Sequence, residues 1–509
     1  MELSLCDIAT DPDARTSGVE HSAKSVVQWL SRIERDWLVM FDNANTDHTG
    51  VAEYMPQGNR GNVLFTSRDR GLSRYVTGDT FLEVEDMEEE DAVRLLLKSS
   101  KKEEESAHLR EAARSIVKKL CYLPLAIDQA GAAIASGLCG MGDYLGMYSV
   151  HRQALLADKT FQGASNYGRA VYGTWDLSFT AIKRMGTVEA ESAIFILQTF
   201  AFMHHENITE EIMKRAADSL QSASSLYPPQ SGQSWMLHLL QLMLKPFHSC
   251  FPSNHSNCGN DHDARSKLYL TSQLFQLDPE GNWDPLCFRK GICMLLSYSL
   301  IKKAVNSGVY SLHPLVHCWS RDSMSGEDRQ TGISMTSTLL TSSITFDFST
   351  NGYAFHRSLI PHIKALDQYS KELGIEMSYN DQQYTHFALA YDSGGYWKEA
   401  EKLEVQVMQT RKRVLGEEHP DTLISIGNLA STYRQQGHWK EAEELEVQVM
   451  QTRKRVLGEE HPHTLSSIGN LAFTYRQQGH WKEAEELFVQ VMQTRKRVLG
   501  EEHCSKNTS

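Results

Sequence analysis

The last quarter of the chain repeats itself almost letter for letter every 42 residues. Trp397, Trp439 and Trp481 are spaced by that period, each inside Trp-Lys-Glu-Ala-Glu. Residues 396–437 and 438–479 differ at only five positions: Tyr396/His438, Lys402/Glu444, Asp421/His463, Ile424/Ser466 and Ser431/Phe473. A fixed period of this length marks a stacked array, in which one unit cannot bury its apolar face alone and does so on its neighbour. Such arrays present long concave surfaces suited to holding another protein.

Each unit reads as two helices. The first is expected from about Thr422 to Gln436, started by Pro420 and Asp421 and stopped by Gly437. The second is expected from Trp439 to Leu457, stopped by Gly458. Small Ala430 and Ala442 would let the helices approach, and Leu429, Tyr433, Trp439 and Leu445 would fill the space between units. Leu-Ala-x-x-Tyr-x-x-x-Gly at Leu429–Gly437, followed by Glu441-Ala442, resembles the tetratricopeptide repeat. The period, with Gly-Glu-Glu-His-Pro between units, is similar to the long-helix variety found in kinesin light chains, over about residues 380–503.

That resemblance implies that first helices line the groove. Counting from Leu429 puts Asn428, Ser431, Arg434 and Gln435 there, and one unit later Asn470, Phe473, Arg476 and Gln477. An Asn amide can donate to and accept from a peptide backbone, and Arg can pair with carboxylates. The same residues also suit a plain soluble helix face. The first unit has His386 and Asp392 at the Asn and Arg positions. The runs Arg411–Arg413, Arg453–Arg455 and Arg495–Arg497 fall on second helices and read as a solvated outer surface, because Glu417-Glu418 and their equivalents follow closely. After His503 the pattern gives way to Cys504–Ser509 without a polar capping helix, so the array reads either as truncated there or as stopping where further repeats have been lost.

The 509 residues allow several domains, and a composition of 41% hydrophobic and 23% charged residues is that of a globular protein. The net charge of −13 argues against general binding to nucleic acid or anionic membranes. No stretch approaches the length of a membrane-spanning helix, and no signal peptide is visible. Nine scattered cysteines suit a reducing compartment, and a cytoplasmic location is expected.

In the N-terminal half, Trp37–Asp42 is an apolar strand ending in an acid and Gly61–Arg68 a second ending in a base. Runs of this kind belong to parallel sheets, which bind ligands at their C-terminal ends. Then come Leu120-Cys-Tyr-Leu-Pro-Leu-Ala126, Thr174-Trp-Asp-Leu-Ser-Phe179 and Leu312-His-Pro-Leu-Val-His-Cys-Trp319. In this order they resemble the NB-ARC/STAND class of signalling ATPases, the core of NLR-type immune receptors, and especially the fungal versions joined to tetratricopeptide repeats. The resemblance implies ADP/ATP with Mg²⁺ as ligand. It puts Asp42 at the Walker-B acid, Arg68 at the sensor, Pro124 at the adenine and His313 at the β-phosphate. Pro124 is equally apt as the first residue of an apolar helix Leu125–Ser136, and His313 as a packed core histidine.

The departures count as much. The chain contains no Gly-x-x-x-x-Gly-Lys-[Ser/Thr] loop, and only 41 residues precede Asp42. That loop supplies the amide cradle, the lysine and the Mg²⁺-binding hydroxyl. Asn43 stands where a second acid would activate water, Tyr122 where the family has Gly, and Pro314 where it has Asp. At most slow ATP hydrolysis is expected, and no catalytic residue is assigned.

Residues 171–215 read as helices, and Phe288–Leu300 with Ile301-Lys-Lys and Tyr310 resembles the recognition helix and wing of a winged-helix domain. Residues 218–285 read as an insert, with a loop over 220–234. Its His248, Cys250, His255, Cys258 and His262 lack the spacing of a zinc knuckle, so no metal is assigned. Residues 322–350 read as a Ser/Thr-rich linker, and 353–366 as a helix bridging to the repeats.

The fold class expected is multidomain: a truncated parallel α/β core (1–96), a helical subdomain (97–160), a winged-helix-like region (161–325), linker and bridging helix (326–378), a helical repeat solenoid (379–503) and a tail (504–509). The function expected is a nucleotide-controlled signalling switch that holds a protein partner in the repeat groove and self-assembles. The alternative is a repeat scaffold whose nucleotide site is lost.

Overall fold

The structure is a computed structural model. It describes residues 2–42, 44, 53–58, 60–67, 75, 81–82, 84, 86–102, 107–158, 160, 170–226, 274–304, 308–375 and 381–499. Arg68, Asn43 and the Cys/His cluster at 248–262 lie outside the described residues.

Among the described residues the chain is mostly helical. The elements run α1 (Glu2–Ile8), α2 (Pro12–Thr16), α3 (Ala23–Arg32), β1 (Trp37–Phe41), β2 (Gly61–Phe65), α4 (Glu89–Ser99), α5 (Ala107–Lys119), α6 (Pro124–Ala135), α7 (Tyr144–Ala157), α8 (Val171–Met185) and α9 (Val188–Phe200). They continue with β3 (Ile208–Thr209), α10 (Glu210–Leu226), α11 (Leu286–Ser297), β4 (Lys302–Lys303), β5 (Val309–Ser311), α12 (Pro314–Asp322), α13 (Gly326–Ser343) and α14 (Thr350–Glu372). The repeats supply α15 (Asp381–Ser393), α16 (Trp397–Leu415), α17 (Pro420–Gln436), α18 (Trp439–Leu457), α19 (Pro462–Gln478) and α20 (Trp481–Leu499). No helix among the described residues is long and apolar enough to cross a membrane.

Strands β1 and β2 pair in parallel, Trp37 opposite Gly61 and Phe41 opposite Phe65. They share a small core with α1 and α3, built on Leu5, Val26, Leu30, Val39 and Phe41. The apolar run of β1 is not buried on both faces. Leu38 is 63% exposed and Met40 56%, because side chains alternate across a strand and only one face meets α3.

A second, continuous core runs from Ala92 to Ala400 and joins α4–α14 to the first repeat. Polar groups tie it together. Arg152 on α7 donates to both oxygens of Asp322 at 3.0 and 2.8 Å, and Tyr172 on α8 donates to the same carboxylate at 2.7 Å. A bidentate arginine pair fixes angle as well as distance. Strand β5 lies between β3 and β4, both antiparallel to it.

Two expectations fail here. Residues 220–226 continue helix α10 rather than starting a loop. The segment read as a Ser/Thr-rich linker contains α13, a helix whose Ile333, Leu339 and Leu340 are buried. Its hydroxyls do not break it because they find carbonyls. Thr336 donates to Gly332 at 2.8 Å and to Thr199 of α9 at 3.0 Å.

Close approach sets one residue on α13. A Cβ at Gly332 would lie 2.5 Å from the ring of Phe202, itself fully buried. Gly332→Ala is therefore expected to lower unfolding free energy by about 1–3 kcal/mol, as overpacking does, despite the better helix propensity of Ala. Urea unfolding of the two proteins checks this.

Candidate functional site

The repeats are built from a local code that recurs. His419 caps α17: its Nδ1 accepts from the Asp421 N–H at 3.2 Å, and Pro420 takes the first helical position. His461 and Pro462 do the same for α19, with His463 as donor at 3.2 Å. Gly437, at φ 82°, closes α17 in the left-handed conformation that glycine tolerates, and the His438 N–H reaches Tyr433 O at 2.9 Å. Tryptophan then opens the next helix. It is not the space filler expected, since Trp397, Trp439 and Trp481 are all exposed.

The units lock through one apolar contact. Leu423 and Ile426 of α17 and Val449 of α18 form a buried core with Met408, which belongs to the preceding unit. Leu465, Ile468 and Val491 repeat it with Met450. Ala430, Ala442 and Ala472 are wholly buried, which allows the close helix approach read from the sequence. Gln436 donates to Trp397 O at 3.1 Å and to Glu401 at 2.9 Å, and Gln478 to Trp439 O at 3.2 Å and Glu443 at 2.8 Å.

The basic runs are in part the solvated surface expected, with Arg455 and Arg497 exposed, and in part engaged with neighbouring helices. Arg411 donates to Asp381 of α15 and to Asp421 O of α17, and Arg453 to His463 O and Ser467 of α19, so the first arginine of the first two runs clasps the helix that follows. The third arginine reaches back to the inter-unit turn, Arg455 to Glu418 at 2.8 Å and Arg497 to Glu460 at 2.6 Å.

On first helices the side chains left over form a stripe. In α19 it runs through Ser466, Asn470, Phe473 and Gln477, exposed or half-buried, while Leu465, Ile468 and Leu471 turn inward. In α17 it runs through Ile424, Asn428, Ser431 and Gln435, again exposed or half-buried. Arg434 and Arg476 flank the ring of Phe473, with guanidinium carbons 4.8 and 4.5 Å from its centroid. This brings Arg434, Phe473 and Arg476 together. Arg434, however, is not free to meet a ligand carboxylate. Its Nη1 donates to Glu446 at 2.9 Å and its Nη2 to Ser431 at 3.1 Å.

Glu446 was not singled out in the sequence. It lies buried on α18 in line with Ala442 and Val449, and Thr474 of the next unit donates to its other oxygen at 2.6 Å. Glu404 is its counterpart one unit earlier. Burial pushes the Glu404 carboxyl up to about 8, helped by the charges of Asp392 and Glu401 and opposed by a bond from Thr432. The third unit carries Phe488 at this position. An acid on a buried stripe where a sister unit has phenylalanine is the signal that could have revealed it.

In the N-terminal half, Asp42 ends β1 and accepts a hydrogen bond from Thr66 at the end of β2, a structural clasp between strand ends. Pro124 opens α6 and is exposed. His313 caps α12 as His419 and His461 cap theirs: its Nδ1 accepts from the Leu315 N–H at 3.2 Å. Its Nε2 is buried without a hydrogen-bond partner, 3.9 Å from Asp86, and the Cys121 backbone lies nearby. Burial lowers its basicity, with Asp86 opposing. Cys121 and Tyr122 both adopt positive φ, 53° and 57°, so Tyr122 occupies a left-handed position that glycine would fill more cheaply. Thus the turn before Pro124 and His313 meet, whereas Asp42 belongs to the other core. The chain has no glycine-rich phosphate loop, and Asp42 is engaged by Thr66. Among the described residues no cluster of His, Cys, Asp or Glu could hold a metal ion.

Three consecutive units, residues 382–421, 422–463 and 464–503, match the family model of the tetratricopeptide repeat. The C-terminal array is a tetratricopeptide-repeat solenoid. A curated relative, a nucleotide-binding leucine-rich repeat (NLR)-like protein of Hyaloscypha variabilis, is 29% identical over 177 residues. That match covers 30% of this chain and 18% of the relative, so the chain spans less than a fifth of the relative's length. Among solved structures, a putative kinesin light chain of Podosopora anserina with nearly identical TPR-like repeats aligns at 23% identity and TM-score 0.28, over 37% of this chain and 86% of that one. A STAND protein of Pyrococcus horikoshii with a tetratricopeptide-repeat sensor aligns at 12% identity and TM-score 0.22, over 90% of this chain and 68% of that one. Superpositions of that quality establish no common architecture.

Glu404 has a raised folded pKa, so the folded tetratricopeptide array binds its proton more tightly than the unfolded chain does. Its contribution to stability is present at low pH and falls as pH rises from the ordinary carboxyl range through about 8. Glu404→Gln is expected to flatten the decline in Tm between pH 6 and pH 9, read by circular dichroism.

Proposed function

We propose that this chain is the partner-holding part of an NLR-like signalling protein, with the tetratricopeptide array as docking surface for a protein or peptide in the cytoplasm. The carrying observation is the first-helix stripe. Of the five positions at which residues 396–437 and 438–479 differ, two lie on it: Ile424/Ser466 and Ser431/Phe473. Near-identical units thus keep their stacking residues and vary an exposed face, as expected of a surface that reads a ligand. The likeness to an NLR-like relative supports the signalling context.

A second reading, control by ADP or ATP, is favoured by one feature: the buried Nε2 of His313, without a partner, beside the turn ahead of Pro124. The scaffold reading is preferred because the stripe on the repeats supports it directly. Self-assembly into a homo-oligomer would belong to the switch reading, and nothing in the first reading needs it.

Joint replacement of Asn470 and Arg476 by Ala is expected to weaken capture of the cellular partner by at least about tenfold, the loss of one or two ligand hydrogen bonds, without moving Tm. Lys440→Ala, on a second helix, is expected to change neither. The opposite ranking, read by quantitative co-purification, would move the docking surface off the first helices. Calorimetry with ADP and Mg²⁺ separates the two readings: the scaffold gives no binding, whereas binding abolished by His313→Ala would restore the switch.

A further inference from the structure

The first and second repeats carry the same buried glutamate but opposite neighbours. Asp392, Glu404 and Thr432 stand 42 residues before Arg434, Glu446 and Thr474. In the second repeat both oxygens of Glu446 are used, one by Arg434 at 2.9 Å and one by Thr474 at 2.6 Å. The arginine side chain is 14% exposed and the glutamate 4%. In the first repeat the place of the arginine is taken by an acid. Glu404 is 8% exposed and its Oε2 has no hydrogen-bond partner, nor has Asp392 Oδ1. Thr432 bonds the Glu404 carboxyl, as Thr474 bonds that of Glu446. Arg434 is close enough to favour the charge of Asp392; its Nη1 and Nη2 are committed to Glu446 and Ser431, and its Nε is buried without making a hydrogen bond to Asp392.

We propose that the first repeat receives a cationic side chain of a bound peptide, the guanidinium of an arginine, seated between Asp392 and Glu404 where the second repeat seats its own Arg434. This rests on the array being a protein-docking surface, and it names the chemistry of one ligand position. The second repeat shows that a guanidinium fits against this glutamate. The first repeat offers two unserved carboxylate oxygens and no cation of its own at the equivalent position. Two carboxylates fall short of a metal site, and a planar guanidinium presents parallel donors that a lysine ammonium lacks. His386 does not compete, because its Nδ1 is engaged with Thr341 O at 2.8 Å.

Binding carries a proton balance. Glu404, held up to about 8 by burial and by its acidic neighbours Asp392 and Glu401, rests protonated near pH 7. An arriving guanidinium keeps its own protons, Glu404 ionises, and its proton passes to buffer.

Calorimetry of the full chain with acetyl-Ala-Ala-Arg-Ala-Ala-amide and its neutral citrulline counterpart, at pH 7 in phosphate and in Tris, tests this. The arginine peptide is expected to bind at least about tenfold more tightly than the citrulline peptide, with heats that differ between buffers by the ionisation of one proton. Asp392→Arg is expected to abolish binding and raise Tm, since it recreates the second repeat's ion pair. Asp392→Asn, which alters shape little, is expected to weaken binding by about tenfold. Equal affinity for the two peptides, no binding of either, or binding untouched by Asp392→Asn overturns the proposal. If that happens while the Asn470/Arg476 variant still loses its partner, only the arginine seat has failed. If that variant keeps its partner while the arginine peptide still discriminates, the stripe has failed and the seat stands.

Discussion

One apolar contact, made again at each step, holds the repeats in register: a methionine from the second helix of one unit under the leucine and isoleucine of the next. Met408 lies on Leu423 and Ile426, and Met450 on Leu465 and Ile468. Each buried leucine and isoleucine contributes about 1.5–3 kcal/mol and the half-buried methionines less, yet neither unit can bury its own set alone. The first unit solves the same problem differently. Phe387, Ala390 and Ala400 join the large core that includes Leu359, Ile360 and Ile363 of α14, so the array grows out of the body rather than hanging from it.

Over this apolar layer lies a polar one, and it carries the individuality of each unit. Glu404 and Glu446 hold the same place in successive second helices, but the first has Asp392 where the second has the cation of Arg434. Burial pushes both carboxyls up; at Glu446 the bonds and charge of Thr474 and Arg434 oppose it, whereas at Glu404 the charges of Asp392 and Glu401 add to it. Identical stacking therefore supports unlike chemistry along one surface. The Arg434–Phe473–Arg476 group extends that layer into the third unit.

Much of the array was legible in the sequence, because capping and periodicity are local. Gly437 and Gly458 end their helices where expected, and Trp439–Leu457 is a helix with those bounds. What failed depended on partners distant in sequence. The exposure of Trp439 and the clasping roles of Arg411 and Arg453 follow from what the adjacent unit presents, which spacing within one unit does not reveal. The Ser/Thr-rich composition of 322–350 reads as a linker, whereas Thr336 of α13 meets a carbonyl of α9. In the N-terminal half, the order of motifs located the turn before Pro124 and His313, which do meet. It could not show that His313 caps a helix by the device used at His419 and His461.

The central claim is that each repeat is completed by its predecessor through the methionine contact. Amide hydrogen exchange on Met450→Ala tests it most directly. If the claim holds, protection falls selectively across α19, by about 0.5–3 kcal/mol for this half-buried side chain, while α17 keeps its protection. Equal loss in both helices, or loss in neither, would contradict it.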